Sequence, residues 1–284
     1  MSKIFVFPGQ GSQAKGMGEE VFDAYPNLVS QADEVLGYSV RELCLEDPDE
    51  KINLTQYTQP ALYTVEALEY TKRKDAGEMP EFVAGHSLGE YAALFAAGAF
   101  DFVTGVKLVQ KRGELMGKAK GGGMAAIIGM DSDAIQENLK KLGRDTIDVA
   151  NYNAPGQIIL SGPVEDLDAI ADPFEEAGAR RVIILKVSAA FHSRYMVDAQ
   201  KEFGEFLESI EFSELTIPVI ANVTAKPYES SAIRENLTKQ IASSVRWQES
   251  IEYILDTATD PEFEEVGPGT VLGGMISRIK KARS

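Results

Sequence analysis

Gly85-His86-Ser87-Leu88-Gly89-Glu90 is the stretch around which the rest of the chain can be interpreted. Residues 81–84 predict a short buried strand before it, and residues 91–97 predict an apolar helix after it. A serine with a glycine two positions away on each side, at a turn from strand to helix, is typical of a nucleophile elbow. Small flanking residues permit the tight turn, and the Leu88 N–H at the helix start is left free to face the serine oxygen. The alternative is a chance match in which Gly89 only eases helix packing.

Composition narrows the class of protein. The chain has 284 residues, 44% of them apolar and 25% charged, as in an ordinary globular protein. Its single cysteine, Cys44, excludes an internal disulfide and an all-cysteine metal site. The net charge of −16 argues against nonspecific nucleic-acid binding, which needs a basic face. Residues 92–100 form the longest nearly uncharged apolar stretch, which is too short to span a membrane. The apolar residues at 1–7 are too few for a secretory signal. We therefore expect a cytoplasmic protein.

The order of predicted elements divides the chain into two parts. Residues 1–122 and 189–284 alternate strands with helices, including a helix predicted from Pro60 to Lys74, which implies a mostly parallel α/β sheet. A run of three glycines, 121–123, precedes a different pattern. Between 123 and 188 we predict strands at 124–129, 146–150, 157–161 and 181–187, with helices at 132–142 and 164–177. This β-α-β-β-α-β order is that of a ferredoxin-like unit, here an inserted small subdomain.

A serine nucleophile needs a base, and the chain has only two histidines. His86 adjoins Ser87, so its side chain should point away from the hydroxyl. His192 lies 105 residues after the serine, in a loop between a predicted strand and a predicted helix. A serine enzyme of this kind must therefore use His192 or do without a histidine. No acid is obvious as a third member, and a backbone carbonyl would suffice to hold one tautomer.

Eight blocks of sequence, in order along the chain, resemble the malonyl-CoA:acyl-carrier-protein transacylases. The resemblance covers essentially the whole chain and is greatest to the free-standing acyltransferases that serve polyketide synthases in trans, of the disorazole or bacillaene type. It implies an α/β-hydrolase-like large subdomain with a ferredoxin-like insertion. The blocks are the elbow at 85–90 and the segments 7–13, 58–62, 112–116, 153–157, 191–193, 245–247 and 265–269.

The resemblance also implies roles for single residues. Ser87 would be the acylated nucleophile and His192 its base, held by a backbone carbonyl near Arg246. The N–H groups of Gln10 and Leu88 would form the oxyanion hole. Arg112 would pair with the free carboxylate of a malonyl group, although an isolated arginine beside Lys111 is more often a solvated helix residue. Phe191 would disfavour methylmalonyl by filling the space of its methyl group. Four further residues would line the pocket: Gln59, Met116, Asn153 and Gln157.

The implied reaction is a two-step transfer. Ser87 would take malonyl from malonyl-CoA and pass it to the phosphopantetheine thiol of an acyl carrier protein, supplying a polyketide or fatty-acid synthase in trans. No metal or organic cofactor is implied, and we expect a monomer. We also expect a local basic patch for the acidic carrier protein, from Arg180, Arg181, Lys186 and Arg194.

Three other functions remain open at this point. A lipase or esterase shares the elbow but seldom has so long an α/β stretch after its histidine. An acyl hydrolase that clears acyl chains from carrier proteins is closer, but it would not need Arg112. A catalytically silent interaction protein would have no use for the combination of Ser87, His192 and Arg112.

Overall fold

A computed structural model describes residues 1–284. It contains eight strands, which in chain order are β1 (Ser2–Phe7), β2 (Phe82–Gly85), β3 (Gly123–Ile128), β4 (Asp148–Ala154), β5 (Gln157–Gly162), β6 (Arg181–Leu185), β7 (Val219–Ile220) and β8 (Pro261–Glu265).

Thirteen α-helices accompany the strands. They are α1 (Glu19–Ala24), α2 (Pro26–Leu36), α3 (Val40–Leu45), α4 (Thr55–Asp75), α5 (Gly89–Ala96), α6 (Phe102–Lys118), α7 (Ser132–Lys141), α8 (Val164–Ala169), α9 (Ala171–Glu176), α10 (Val197–Leu207), α11 (Ile233–Gln240), α12 (Trp247–Thr257) and α13 (Val271–Arg283). Short 3₁₀ turns occupy Arg194–Met196 and Ser230–Ala232. No helix is both long and apolar enough to cross a membrane.

The strands form two separate sheets. The first is parallel, in the order β7-β2-β1-β8, and we call it and the helices around it the large subdomain. The second is antiparallel, in the order β4-β5-β3-β6, and with α7 to α9 it forms the small subdomain. The predicted fold class, a parallel α/β body with a ferredoxin-like insertion, is confirmed.

The central strand β1 is buried on both faces, as expected for a parallel sheet covered by helices. Because side chains alternate along a strand, Phe5 and Phe7 lie on the same face of β1 and join the larger core, where both rings contact Tyr70 of α4. Ile4 and Val6 point the other way, into the core built with α12 and α13. The sheet therefore forms the middle of three layers, and it presents the carboxyl ends of β1 and β2 side by side.

The sheet of the small subdomain also has two different faces. Residues Ala125 and Ile127 pack with Phe174 into that subdomain's own core. The alternate residues Met124 and Ala126 face the large subdomain and join its core. One face of the small-subdomain sheet thus lines the cleft between the small and the large subdomain.

Some predicted element boundaries were wrong, and the single helix predicted at 164–177 is interrupted at Ile170, between α8 and α9. The helix predicted to begin at Pro60 begins at Thr55, so Pro60 lies inside α4. Proline there removes only one backbone hydrogen bond, near the helix start, and tight packing of this buried helix compensates. Strand β4 extends to Ala154, so the turn at Pro155-Gly156 is tighter than the predicted four-residue turn.

Candidate active site

The elbow lies between the end of β2 and the start of α5. Ser87 has a φ of 53°, in the left-handed region that is costly for a residue with a side chain. A Cβ on Gly85 would collide with the Gly89 backbone, and one on Gly89 would collide with the Phe7 carbonyl. Glycine is therefore required on both sides, as the motif predicts.

Asn222 holds the strained turn from the other side. Its Oδ1 accepts a hydrogen bond from the Ser87 N–H at 2.7 Å, and its Nδ2 donates to the Gly85 carbonyl at 2.6 Å. The side chain thus fixes both ends of the elbow backbone. These hydrogen bonds from Asn222 hold Ser87 in its strained backbone conformation.

His192 lies beside the serine, with its Nε2 2.7 Å from Ser87 Oγ. Its Nδ1 is 2.9 Å from the Gln240 carbonyl and 3.2 Å from the Ser243 carbonyl. Because carbonyls only accept, Nδ1 carries the proton and Nε2 is free to accept one. Burial, and then the charge of Arg112, lower the pKa of His192 to about 3, so its imidazole is neutral at ordinary pH and Nε2 carries no proton.

The prediction that a carbonyl near Arg246 holds the base needs correction. The carbonyls that contact His192 belong to Gln240 and Ser243, at and just after the end of α11. Arg246 is the N-cap residue of α12, and its side chain pairs with Glu249 in the first turn of that helix, with an Nε–Oε1 distance of 2.8 Å. Arg246 has no contact with the imidazole because its own helix supplies its carboxylate partner.

The loop after β1 lies against the elbow. A Cβ on Gly9 would collide with the His86 carbonyl, so the loop can approach this closely only with glycine there. The N–H groups of Gln10 and Leu88 donate no hydrogen bond within the protein, and both residues line the cavity in front of Ser87. Two free backbone donors at a serine are suited to an oxyanion.

Arg112 is fully buried in α6 rather than solvated, so the alternative of a surface arginine is wrong. Its Nη1 donates to Gln59 Oε1 at 2.8 Å, and its Nη2 donates to Gln240 Oε1 at 2.9 Å. The same Nη2 lies 3.2 Å from Ser87 Oγ. No carboxylate lies within 4.0 Å of the guanidinium. A buried cation without a carboxylate is costly unless an anion joins it, so this group can bind an acid at the nucleophile.

Glu90 and Gln240 complete a network that the sequence did not predict. Glu90 is fully buried, and Tyr228 donates to its Oε1 at 2.6 Å, as does the Asn222 N–H at 3.0 Å. Gln240 Nε2 donates to the other carboxyl oxygen and, at 2.8 Å, to the Ser87 carbonyl. Burial raises the pKa of Glu90 to about 7, against the hydrogen bonds that lower it. Glu90 belongs to the motif, but nothing in the sequence near Tyr228 or Gln240 signals such a partner.

The remaining predicted site residues all line one cavity of about 290 Å³ in front of Ser87. Gln59 contacts both Arg112 and the sulfur of Met116, at 3.4 Å for the latter. Phe191, 5% exposed, lies next to the base. The predicted residues in this lining are Gln59, Met116, Asn153, Gln157 and Phe191.

His86 points away from Ser87, as expected. Its Nε2 lies 2.8 Å from Asn153 Oδ1, and its ring packs on Trp247 at 5.6 Å between centroids. The contact joins the elbow to strand β4 of the small subdomain. No group of histidine, cysteine, aspartate and glutamate side chains is placed to hold a metal ion.

This arrangement agrees with comparisons to known proteins. The acyl transferase domain family matches residues 4–274. The polyketide biosynthesis malonyl CoA-acyl carrier protein transacylase BaeC of Bacillus velezensis is 53% identical over 97% of this chain and 96% of its own length. The crystal structure of malonyl CoA-acyl carrier protein transacylase from Burkholderia pseudomallei matches with a TM-score of 0.96 and 48% identity, over 99% of this chain and 98% of that one.

A structure of a type II PKS acyl-carrier protein in complex with its malonyl-transacylase, PlMCAT:AntF, also matches. Its TM-score is 0.94 at 37% identity, over 99% of this chain and 94% of that one. With a family match over most of its length and relatives at this level of identity, the chain belongs to the acyl transferase domain family, among the malonyl CoA-acyl carrier protein transacylases.

Proposed function

We propose that this protein transfers malonyl from malonyl-CoA to the phosphopantetheine thiol of an acyl carrier protein through a malonyl ester of Ser87. The observation that carries the proposal is the buried guanidinium of Arg112, 3.2 Å from Ser87 Oγ and without a carboxylate partner. Malonyl differs from acetyl by a carboxylate, and a planar guanidinium pairs well with that group.

In the first half-reaction His192 Nε2 takes the proton of Ser87 as its oxygen attacks the thioester carbon. The Gln10 and Leu88 N–H groups stabilise the oxyanion, and the Gln240 and Ser243 carbonyls accept from the imidazolium that forms. The carbon–sulfur bond then breaks, the CoA thiolate leaves, and His192 returns the proton to it. The product is the malonyl–serine ester.

The second half-reaction reverses these roles. His192 takes the proton of the phosphopantetheine thiol, whose sulfur attacks the ester carbonyl. The bond to Ser87 oxygen breaks, and the proton passes from His192 to that oxygen. Neither step requires a metal or an organic cofactor. Apolar lining residues such as Met116 and Phe191 disfavour water at the ester.

Support for the setting of the reaction comes from the relatives. BaeC is named for polyketide biosynthesis, which supports the supply of malonyl to a polyketide synthase in trans. A malonyl CoA-acyl carrier protein transacylase of Bacillus subtilis is 41% identical over 99% of this chain. Supply of a fatty-acid synthase is therefore the second pathway that we propose. We propose a monomer in the cytoplasm. Arg112 disfavours a hydrolase that clears acyl chains without a free carboxylate.

The test is malonyl-CoA consumption with holo-carrier protein, with apo-carrier protein and with neither. A transferase releases about one equivalent of CoA per enzyme without an acceptor and turns over continuously only with the holo form. Continuous release of free malonate at the same rate in all three reactions would instead identify a hydrolase.

A further inference from the structure

The main chain of His192 is strained in the same way as that of Ser87. Its φ is 55°, in the left-handed region, and that of Ser87 is 53°. Neither the N–H nor the carbonyl of His192 takes part in a backbone hydrogen bond. His192 therefore depends on its neighbours along the chain to keep this conformation, as Ser87 depends on Asn222.

The carbonyl directly before His192 is held by the small subdomain. Ser161 of β5 is fully buried, and its Oγ donates to the Phe191 carbonyl at 2.8 Å. Phe191 itself is only 5% exposed, so its carbonyl would be a buried acceptor without a partner if the hydroxyl were removed. The hydrogen bond thus ties the start of the catalytic turn to the sheet.

The N–H two residues after His192 is held by the neighbouring strand. Asp148 of β4 accepts from the Arg194 N–H through Oδ2 at 2.8 Å. Its two carboxyl oxygens also accept from Arg194 Nε, each at 3.0 Å. Arg194 is therefore not free to form the basic patch expected from the sequence. Its main chain and its side chain are both fixed to β4.

Ser161 and Asp148 are direct partners in the register of β4 and β5, so their side chains share one face of the sheet. The same row continues through Met124 of β3 to Leu185 of β6, and these two residues line the cavity. Ser161 and Asp148 do not line it. A substitution at either one therefore changes the support of His192 and leaves the contacts with substrate in place.

We infer that Ser161 and Asp148 are positioning residues for the base: they hold the main chain on both sides of His192 and so keep its Nε2 at Ser87 Oγ. The inference rests on the proposed function, in which His192 moves the proton in both half-reactions. The Gln240 and Ser243 carbonyls fix the imidazole at Nδ1. They leave the left-handed main chain of His192 to the two side chains of the small subdomain.

The first test is single-turnover acylation of Ser87 by malonyl-CoA in Ser161→Ala. The maximal rate should fall about tenfold, because a small displacement of a catalytic group slows the reaction, while the half-saturating malonyl-CoA concentration should change at most about twofold. The matched control is Ser250→Ala, which removes another buried hydroxyl that donates to a carbonyl at 2.8 Å, here that of Arg246. This control should acylate at the wild-type rate.

Asp148 gives a second test that does not depend on a fully buried position, since its side chain is 21% exposed. Asp148→Ala should also slow acylation about tenfold. Asp148→Asn keeps an oxygen that can accept from the Arg194 N–H but loses the charge, so it should recover most of the wild-type rate. Equal losses in the two variants would assign the effect to the ion pair and contradict support of the main chain.

NMR of labelled histidine rings reports the position of the base without turnover. The chain has two histidines, and His86, which contacts Asn153 and Trp247, serves as the internal reference. In Ser161→Ala and Asp148→Ala the ring signals of His192 should shift or broaden, while those of His86 should stay unchanged.

Three results would each overturn the inference: wild-type acylation in both alanine variants, unchanged His192 signals in both, or a loss that lies in the half-saturating concentration alone. Failure of the proposed function would look different. The wild type would then not acylate Ser87 with malonyl-CoA, whereas the His192 signals would still respond to Ser161→Ala and Asp148→Ala.

Discussion

In the large subdomain the polar groups around Ser87 are buried and hydrogen-bonded to one another, whereas the small-subdomain groups that face the cavity are mostly apolar. Arg112, Gln240 and Glu90 form a continuous chain of hydrogen bonds behind Ser87. Across the cleft, Met124 and Leu185 line the cavity with apolar side chains that form no hydrogen bonds. Substitutions in the large subdomain should therefore change the rate of the chemical step, and substitutions of these apolar residues in the small subdomain should change how tightly the substrate binds.

The largest effect is expected for His192→Ala. Without a base the acylation rate should fall on the order of a hundredfold or more, the usual scale for this kind of catalysis. Leu185→Ala, on the small-subdomain wall, is the paired variant and should raise KM a few-fold with little change in kcat. Single-turnover acylation by malonyl-CoA measures both. A kcat loss of similar size in the two variants would break the distinction between the subdomains.

Arg112→Ala should lower the acylation rate nearly as much as His192→Ala, but only with malonyl-CoA as substrate. Loss of a charge-assisted pair with the malonyl carboxylate should lower acylation by malonyl-CoA about a hundredfold and by acetyl-CoA only a few-fold. Arg112→Lys keeps the charge without the planar fork and should recover only part of the loss. Competition between the two thioesters gives the ratio directly. An equal fall for both substrates would mean that Arg112 serves the fold of the site and not the carboxylate.

Phe191→Ser should change selectivity rather than rate. Removing the ring beside the base makes room for a 2-methyl group, so use of methylmalonyl-CoA relative to malonyl-CoA should rise about tenfold, within the range of about 10 to 200-fold for one methylene. The measurement is competition between the two thioesters. Met116→Ala, which enlarges the cavity elsewhere, is the control, and the same rise there would place selectivity in cavity size alone.

The smallest effect concerns Glu90 and pH. Since the pKa of Glu90 is raised to about 7 and that of His192 is lowered to about 3, Glu90 takes up a proton first as the pH falls. Its ionised form accepts more strongly from Gln240, so acylation should be faster above pH 7 than below it. Glu90→Gln should be about tenfold slower at pH 8 and nearly flat from pH 6 to 8.

The control for this pH profile is Glu66→Gln, a fully buried carboxyl on α4 with no hydrogen-bond partner. It should keep the wild-type profile. A rise near pH 7 that persists in Glu90→Gln would assign the titration to another group and remove Glu90 from its positioning role.

The same comparison explains what the sequence could predict. The elbow is local: Gly85 and Gly89 are required by backbone geometry within two residues of Ser87, and the two-part order of elements follows from hydrophobic periodicity. With two histidines in the chain, His192 was predicted by elimination, and the structure places it against the serine. Side chains at the cavity were predicted through whole-chain resemblance, because no local pattern distinguishes a buried arginine from a solvated one.

The groups that sequence missed act through the backbone or across long separations. The carbonyls of Gln240 and Ser243 hold His192, and a carbonyl looks the same at every position in a sequence. The contact between Glu90 and Gln240 spans 150 residues and depends on how α11 packs behind the elbow. Such contacts are set by tertiary structure, which is why the assignment to Arg246 missed by three to six positions.

The most direct test of transfer through Ser87 is mass spectrometry of the intact protein mixed with malonyl-CoA, followed by peptide mapping and then by addition of holo-carrier protein. We expect one added malonyl group on a peptide that contains Ser87, its disappearance as the carrier protein gains the same mass, and no label in Ser87→Ala. Labelling of Ser87→Ala at the wild-type rate, or a label that carrier protein does not remove, would contradict transfer through Ser87.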